Sequence, residues 1–328
     1  MGGLALVFPG QGSQYVGMGQ ALAELSPAAA AAFAEADAAL GEPISALAWS
    51  GNADELDLTT NAQPALVATS IAYLRALQER RSAAGDPPLA PAFLAGHSMG
   101  QYSAMVAAGV ISLADGVRLV RERGRLMQSS GSGRDGAMAA VIGLDDGRLE
   151  DLEAAGAAAG IFTIANRNSP GQVVVSGERT AVEAAVTAAR ALGARRAVTL
   201  PVSVAAHSPL MAEAASGMRT LLASVIFRDP IAPLLANADA HLLTTGEACR
   251  AELVEHLTAG VDWVRVVLAM TAAGCDTFVE VGPGRVLTGL VRRDAPEATA
   301  VALDEADAPG RLAFPLVAWA AAAPATTT

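Results

Sequence analysis

A serine lies between two close glycines in Gly96-His97-Ser98-Met99-Gly100, directly after the apolar stretch 91–95 and before a small-residue pattern over 101–109. A strand that turns this abruptly into a helix leaves room only for small residues beside the serine and pushes its hydroxyl outward, the pattern of a nucleophile elbow. The helix that follows aims backbone N–H groups and partial positive charge at any oxyanion forming there. A chain built this way has strands feeding helices, and its chemistry would be acyl chemistry through a covalent ester. A Gly-x-Ser-x-Gly also arises by chance in a chain with 32 glycines. The rest of the sequence must therefore supply a base and a pocket.

The strand–helix alternation continues along the chain. Residues 4–8 read as a buried strand ending in the turn Pro9-Gly10-Gln11-Gly12, and Ala-rich helices follow to about residue 81. Ser112, with Asp115 three residues on, reads as a capping box that opens another helix. From 137 to 202 the texture changes: a strand at 137–142, a helix over 145–159, and strands at 162–165 and 172–176 around a turn at Asn168-Ser169-Pro170-Gly171. A helix over 180–192 and a strand at 196–200 complete β-α-β-β-α-β, the ferredoxin-like order. Strands at 231–236 and 277–281 then resume the first texture. The expected fold is α/β: a large α/β-hydrolase-like domain with a mainly parallel sheet, from 1–131 and 203–328, and a small inserted ferredoxin-like α+β domain, 132–202. Gly131-Ser132-Gly133 reads as the hinge between them.

Bulk properties exclude several classes. With 52% hydrophobic but only 4% aromatic residues, the core must be Ala, Val and Leu on closely packed elements. A net charge of −11 argues against a nucleic-acid partner. Cys249 and Cys275 have neither metal-ligand nor redox spacing and read as small core residues, so no metal site is expected. The first residues lack a signal peptide's basic start. The apolar run 312–323 is short for a bilayer and is broken by Pro315. A cytoplasmic protein without membrane association is expected.

Ser98 needs a base, and there are four histidines. His97 points away from Ser98 if neighbours in the turn diverge, and reads as pocket lining. His241 follows a polar loop, and His256 lies beside Glu252 and Glu255 on what reads as a charged helix face; both are expected at the surface. His207 follows the small-residue run 202–206 and precedes Ser208-Pro209, a setting that can hold an imidazole rigidly over a pocket. A carboxylate to orient it is not evident, and a backbone carbonyl can fix the tautomer instead. On the helix over 113–128, Arg118, Arg121 and Arg125 share one arc, whereas Arg123 falls among Val117, Val120, Gly124 and Met127. A buried guanidinium must be paired, either within the protein or with a carboxylate on the substrate's acyl group. Gln11 lies in the turn after the first strand, at the carboxyl end of a parallel sheet where ligands bind. Its N–H could join that of Met99 in an oxyanion hole.

Eight stretches carry a resemblance: FPGQGSQYVGMG at 8–19, NAQPAL at 61–66, GHSMGQYSA at 96–104, RGRLMQ at 123–128, GAMAAVIGL at 136–144, NRNSPGQVVVSG at 166–177, PVSVAAHSPLM at 201–211 and EVGPGRVLTGL at 280–290. In this order the chain resembles the malonyl-CoA:acyl carrier protein transacylases, the family that includes the acyltransferase domains of polyketide and fatty acid synthases. The resemblance implies a ping-pong transfer of malonyl from coenzyme A to the phosphopantetheine of a carrier protein, by a monomer that needs no cofactor. It implies Ser98 as nucleophile, His207 as base, Gln11 and Met99 as oxyanion donors and Arg123 as the malonyl carboxylate's partner. His97, Gln63 and Asn168 would line or support the pocket, and the Asp262 carbonyl or side chain would accept from His207. Gln101 stands where relatives commonly carry Glu, a loss of about 0.5 kcal/mol at a helix start. A serine esterase or thioesterase, a methylmalonyl-specific polyketide acyltransferase and a non-catalytic carrier-docking module are the alternatives.

Overall fold

The computed structural model describes residues 2–131, 135–202 and 204–304. Part of the expected hinge (Ser132 and Gly133), the expected domain limits at 132 and 203, and the apolar run 312–323 lie outside these residues. Eleven strands are present among the described residues: β1 (Gly3–Phe8), β2 (Phe93–Gly96), β3 (Gly136–Ile142), β4 (Phe162–Ser169), β5 (Gln172–Glu178), β6 (Arg196–Thr199), β7 (Leu234–Leu235), β8 (Leu242–Leu243), β9 (Val261–Asp262), β10 (Cys275–Glu280) and β11 (Thr299–Ala302).

Six strands form one sheet in the order β11-β10-β1-β2-β7-β8. Every pair described is parallel except β7–β8. A parallel sheet is covered on both faces, so its strands read as apolar runs, and the alternation along β1 shows how that run is divided. Leu4, Leu6 and Phe8 belong to the cluster built with the helices Thr59–Ala84 and Leu113–Gly131. Ala5 and Val7 belong to the opposite cluster, with Trp263, Val267 and Leu287. Each large apolar side chain buried this way contributes about 1.5–3 kcal/mol. The helix Leu113–Gly131 opens as expected: Ser112 Oγ accepts from the Asp115 N–H at 3.0 Å and donates to Asp115 Oδ2 at 2.6 Å. At the end of β10, buried Glu280 accepts from the N–H groups of Leu287 (3.0 Å) and Thr288 (2.7 Å), which fixes the helix Val286–Asp294 against the sheet.

The second sheet has the order β6-β3-β5-β4-β9. Its first four strands are antiparallel and carry the helices Leu149–Ala157 and Arg179–Ala191, packed through Leu152, Val182 and Ala185. That is the ferredoxin-like order. The fifth strand comes from far along the chain: β9 pairs parallel with β4 through Asn166↔Val261 and Arg167↔Asp262. Two of the changes in element length have a local cause. β7 shortens to two residues, because Pro233 has no N–H to give to a ladder. The expected turn at 168–171 narrows to Pro170-Gly171, because the β4–β5 register slips between Arg167 and Ser169 and Asn168 becomes a bulge residue within β4. No helix among the described residues is long and apolar enough to cross a membrane.

Candidate active site

β2 ends at Gly96 and the helix Gly100–Ala107 begins four residues later. A Cβ on Gly96 would lie 2.0 Å from the Gly100 carbonyl carbon, and one on Gly100 would lie 2.2 Å from the Phe8 oxygen. Only hydrogens fit at either position. Ser98, between them, takes a left-handed φ of 51°, which costs a non-glycine residue about 1–2 kcal/mol. The surroundings hold it there. Ser98 N donates to Asn237 Oδ1 at 2.8 Å. Gln101 accepts from Gly96 N at 2.9 Å and donates to the Leu235 oxygen at 2.9 Å. Gln101 is fully buried, so its amide ties the elbow to β7 rather than marking a charge at a helix start. A carboxylate could accept there but not donate.

His207 also has a left-handed backbone, φ 58°, and is buried. Its Nε2 lies 2.8 Å from Ser98 Oγ. Its Nδ1 lies 2.6 Å from the His256 carbonyl oxygen and 3.1 Å from that of Ala259. Two carbonyl acceptors require Nδ1 to carry the proton, so Nε2 presents its lone pair to the serine hydroxyl. Burial, and next the Arg123 charge, push the His207 pKa down to about 4, so the ring is neutral near pH 7.

The orienting group is a backbone carbonyl, but not that of Asp262. The helix Gly246–Glu255 ends at His256, and carbonyls at a helix C-terminus lack intrahelical partners, which frees them for an imidazole. Asp262 is committed elsewhere. Its N–H donates to the Asn237 oxygen at 2.8 Å, and its carboxylate caps the next helix at Arg265 N (3.0 Å) and pairs with Arg167 at 3.2 Å. His256 itself is 1% exposed, against the expectation of a surface residue. Its ring packs on Tyr102 and His207, with centroids at 6.0 and 6.2 Å. His241 is exposed, as expected, beside Asp239.

Arg123 is buried within the apolar arc of its helix. It donates through Nη1 to Gln63 Oε1 at 3.0 Å and through Nη2 to Ser98 Oγ at 3.3 Å. Its Nε has no partner. Burial lowers its pKa. Ser98, His207, Arg123 and Gln63 thus form one hydrogen-bonded group. Beside it, His97 Nε2 meets the bulged Asn168 Oδ1 at 2.9 Å, and the His97 ring packs on Trp263. Met99 is buried at the start of the helix after Ser98. The turn bearing Gln11 lies against the elbow: a Cβ on Gly10 would fall 2.6 Å from the His97 oxygen. The exposed Gln11 side chain donates to Thr59 Oγ1 at 3.2 Å. Among the described residues no cluster of His, Cys, Asp or Glu could hold a metal ion.

An alcohol on a neutral imidazole, with a fixed cation beside it, is equipped for nucleophilic acyl transfer. The family described as "Acyl transferase domain" matches residues 5–308. The chain belongs to the acyl transferase domain family. One relative, the malonyl CoA-acyl carrier protein transacylase of Escherichia coli strain K12, is 46% identical over 93% of this chain and 96% of its own. The crystal structure of an acyl-carrier-protein-S-malonyltransferase from Bartonella henselae superposes with a TM-score of 0.88 at 43% identity, covering 93% of this acyltransferase and 96% of that chain. A malonyl-transacylase solved in complex with its type II PKS acyl-carrier protein superposes at 0.83, with 41% identity over 92% and 94% of the two chains.

Sequence reasoning passed over Asn237 and reads Glu252 and His256 as a solvated helix face, whereas both are buried. Asn237 lies two residues past the short strand β7, at the carboxyl end of the parallel sheet, and that position was the available signal. Cys249, Glu252, Leu253 and His256 recur at helical spacing on one buried stripe, but the adjacent charges disguised it.

Proposed function

We propose that this acyltransferase moves a malonyl group from coenzyme A to the phosphopantetheine thiol of an acyl carrier protein, through an ester on Ser98. The observation that carries the reading is a buried guanidinium 3.3 Å from the serine oxygen that also touches His207. Its unpartnered Nε leaves hydrogen-bonding capacity for a carboxylate on the acyl group. The names of the relatives above agree with this choice of acyl group and acceptor.

In the first half-reaction His207 Nε2 takes the Ser98 proton as Oγ bonds to the thioester carbonyl carbon. The carbonyl electron pair moves onto oxygen, where the Gln11 and Met99 N–H groups receive it. Collapse breaks the C–S bond, and the departing sulfur recovers the proton from His207. In the second half the carrier thiol gives its proton to His207 and attacks the ester, and Ser98 leaves with that proton. Two carbonyls on Nδ1 stabilise the transient imidazolium without a carboxylate. His97 and Asn168 line the acyl end and Gln63 steadies Arg123. The reaction so written uses no metal and no cofactor, and we read it as the work of a cytoplasmic monomer with no nucleic-acid or membrane partner.

The test is intact-mass spectrometry after mixing with malonyl-CoA. A malonyl adduct that is absent in Ser98→Ala and is discharged only when holo carrier protein is added is the expected outcome. Discharge by water at the same rate without the carrier would replace this reading with a thioesterase.

A further inference from the structure

The end of one helix reaches both reacting residues. At the C-terminus of Gly246–Glu255 the His256 carbonyl accepts from His207 Nδ1 at 2.6 Å. One turn earlier, Glu252 Oε1 accepts from the Asn237 N–H at 2.8 Å, and Asn237 Oδ1 accepts from the Ser98 N–H at 2.8 Å. The Asn237 carbonyl is also engaged, by the Asp262 N–H at 2.8 Å. Asn237 and Glu252 are 1% and 3% exposed, and the structure gives neither a hydrogen bond to the Ser98 hydroxyl or to the His207 ring. A carboxylate this deep is expensive to keep, and the His256 ring 3.9 Å from it is held neutral by burial.

We infer that Glu252 and Asn237 are positioning residues that brace the Ser98 backbone in its left-handed conformation, at hydrogen-bond distance from the imidazole oriented by the same helix end. The inference rests on Ser98 being the nucleophile. It assigns the carboxylate a role other than contact with the histidine: the carboxylate acts on the serine, through an asparagine.

Several groups face Glu252. They are the Asn237 amide, Tyr102 on the helix Gly100–Ala107, and Cys249, Glu255 and His256 on or next to its own helix, with exposed His241 acting on it only through its charge. Burial is the largest influence and pushes the Glu252 carboxyl up to about 7. The ionised form is the stronger acceptor for Asn237 N–H, so the brace tightens as pH rises through neutrality, well above the range where His207 itself titrates.

The experiment is single-turnover acylation by malonyl-CoA, read by intact mass from about pH 5 to about pH 8.5, on wild type, Ser98→Ala, Asn237→Ala and Glu252→Gln. Asn237→Ala is expected to acylate about 10- to 100-fold more slowly with an unchanged malonyl-CoA KM, since a small misplacement of a nucleophile has an effect of that order. Wild type is expected to show an inflection near neutrality, and Glu252→Gln, nearly isosteric and non-titrating, to lose it. Wild-type acylation rates in both variants, or a neutral inflection kept by Glu252→Gln, would overturn the brace while leaving Ser98 as nucleophile. A wild-type adduct that persists in Ser98→Ala would overturn the nucleophile and the brace together.

Discussion

Replacing Arg123 with Ala separates recognition of the acyl group from the chemistry at Ser98. The guanidinium is 2% exposed and donates to Gln63 and to the serine oxygen, with Nε unpaired. A malonyl carboxylate taking two parallel N–H bonds from it would gain about 1.5–3 kcal/mol for each charge-assisted bond. Losing both amounts to about 3–6 kcal/mol, or about 10²- to 10⁴-fold in kcat/KM for malonyl-CoA. Acetyl-CoA has no carboxylate to lose, so its kcat/KM should change by less than about tenfold. The malonyl-to-acetyl ratio should therefore fall at least about tenfold, and about 100-fold or more if acetyl transfer is unchanged. The assay is release of free coenzyme A thiol in the presence of holo carrier protein, with each donor in turn. A second effect is internal to the site. Arg123 is the second-largest influence holding the His207 pKa down, so the acid limb of acetyl transfer should shift to higher pH in the variant. Equal losses with both donors would refute the carboxylate-pairing argument, and an unmoved acid limb would refute the electrostatic one.

Three further outcomes follow from the same geometry. His207 is lowered from 6.5 to about 4, so between those values the unfolded chain binds a proton that the folded one refuses. Stability is full above about pH 7 and falls by about 3 kcal/mol as pH drops to about 4; urea unfolding at both pH values should show this component missing in His207→Gln. Gly100→Ala forces a Cβ to within 2.2 Å of the Phe8 oxygen and should lower stability by about 3 kcal/mol, seen as a depressed Tm with no acylation. Asp304 accepts from Tyr15 OH, Tyr73 OH and Gly284 N, each at 2.7 Å. Asp304→Ala should cost about 2–4 kcal/mol in chemical denaturation by stranding a buried phenol, and Asp304→Asn visibly less.

What could be read from the residues alone follows from which interactions are local. The elbow, the capping box at Ser112 and Arg123 out of place on an apolar arc are all set by neighbours within a few positions. The alternating strands and the ferredoxin-like order come from short-range periodicity in the same way. The contacts that escaped are long-range. Nothing near Val261 announces that it will pair with Asn166, nearly a hundred residues earlier. The resemblance points to the loop 261–263, and so to Asp262, for the His207 acceptor, whereas the carbonyls that accept follow the end of the helix before it. His256 was expected in water because glutamates flank it, yet one of those glutamates, Glu252, is buried as well.

The fifth strand of the smaller sheet bears on how such enzymes can be recombined. Residues 256–262 give His207 its two acceptors and then cross over to pair beside Asn168's own strand. A chimaera that grafts only residues 135–202 from a relative would separate β4 from the segment that anchors the imidazole. Exchanging acyl preference by module swapping therefore calls for a two-piece transplant, with the 256–262 stitch carried along with the donor's sheet.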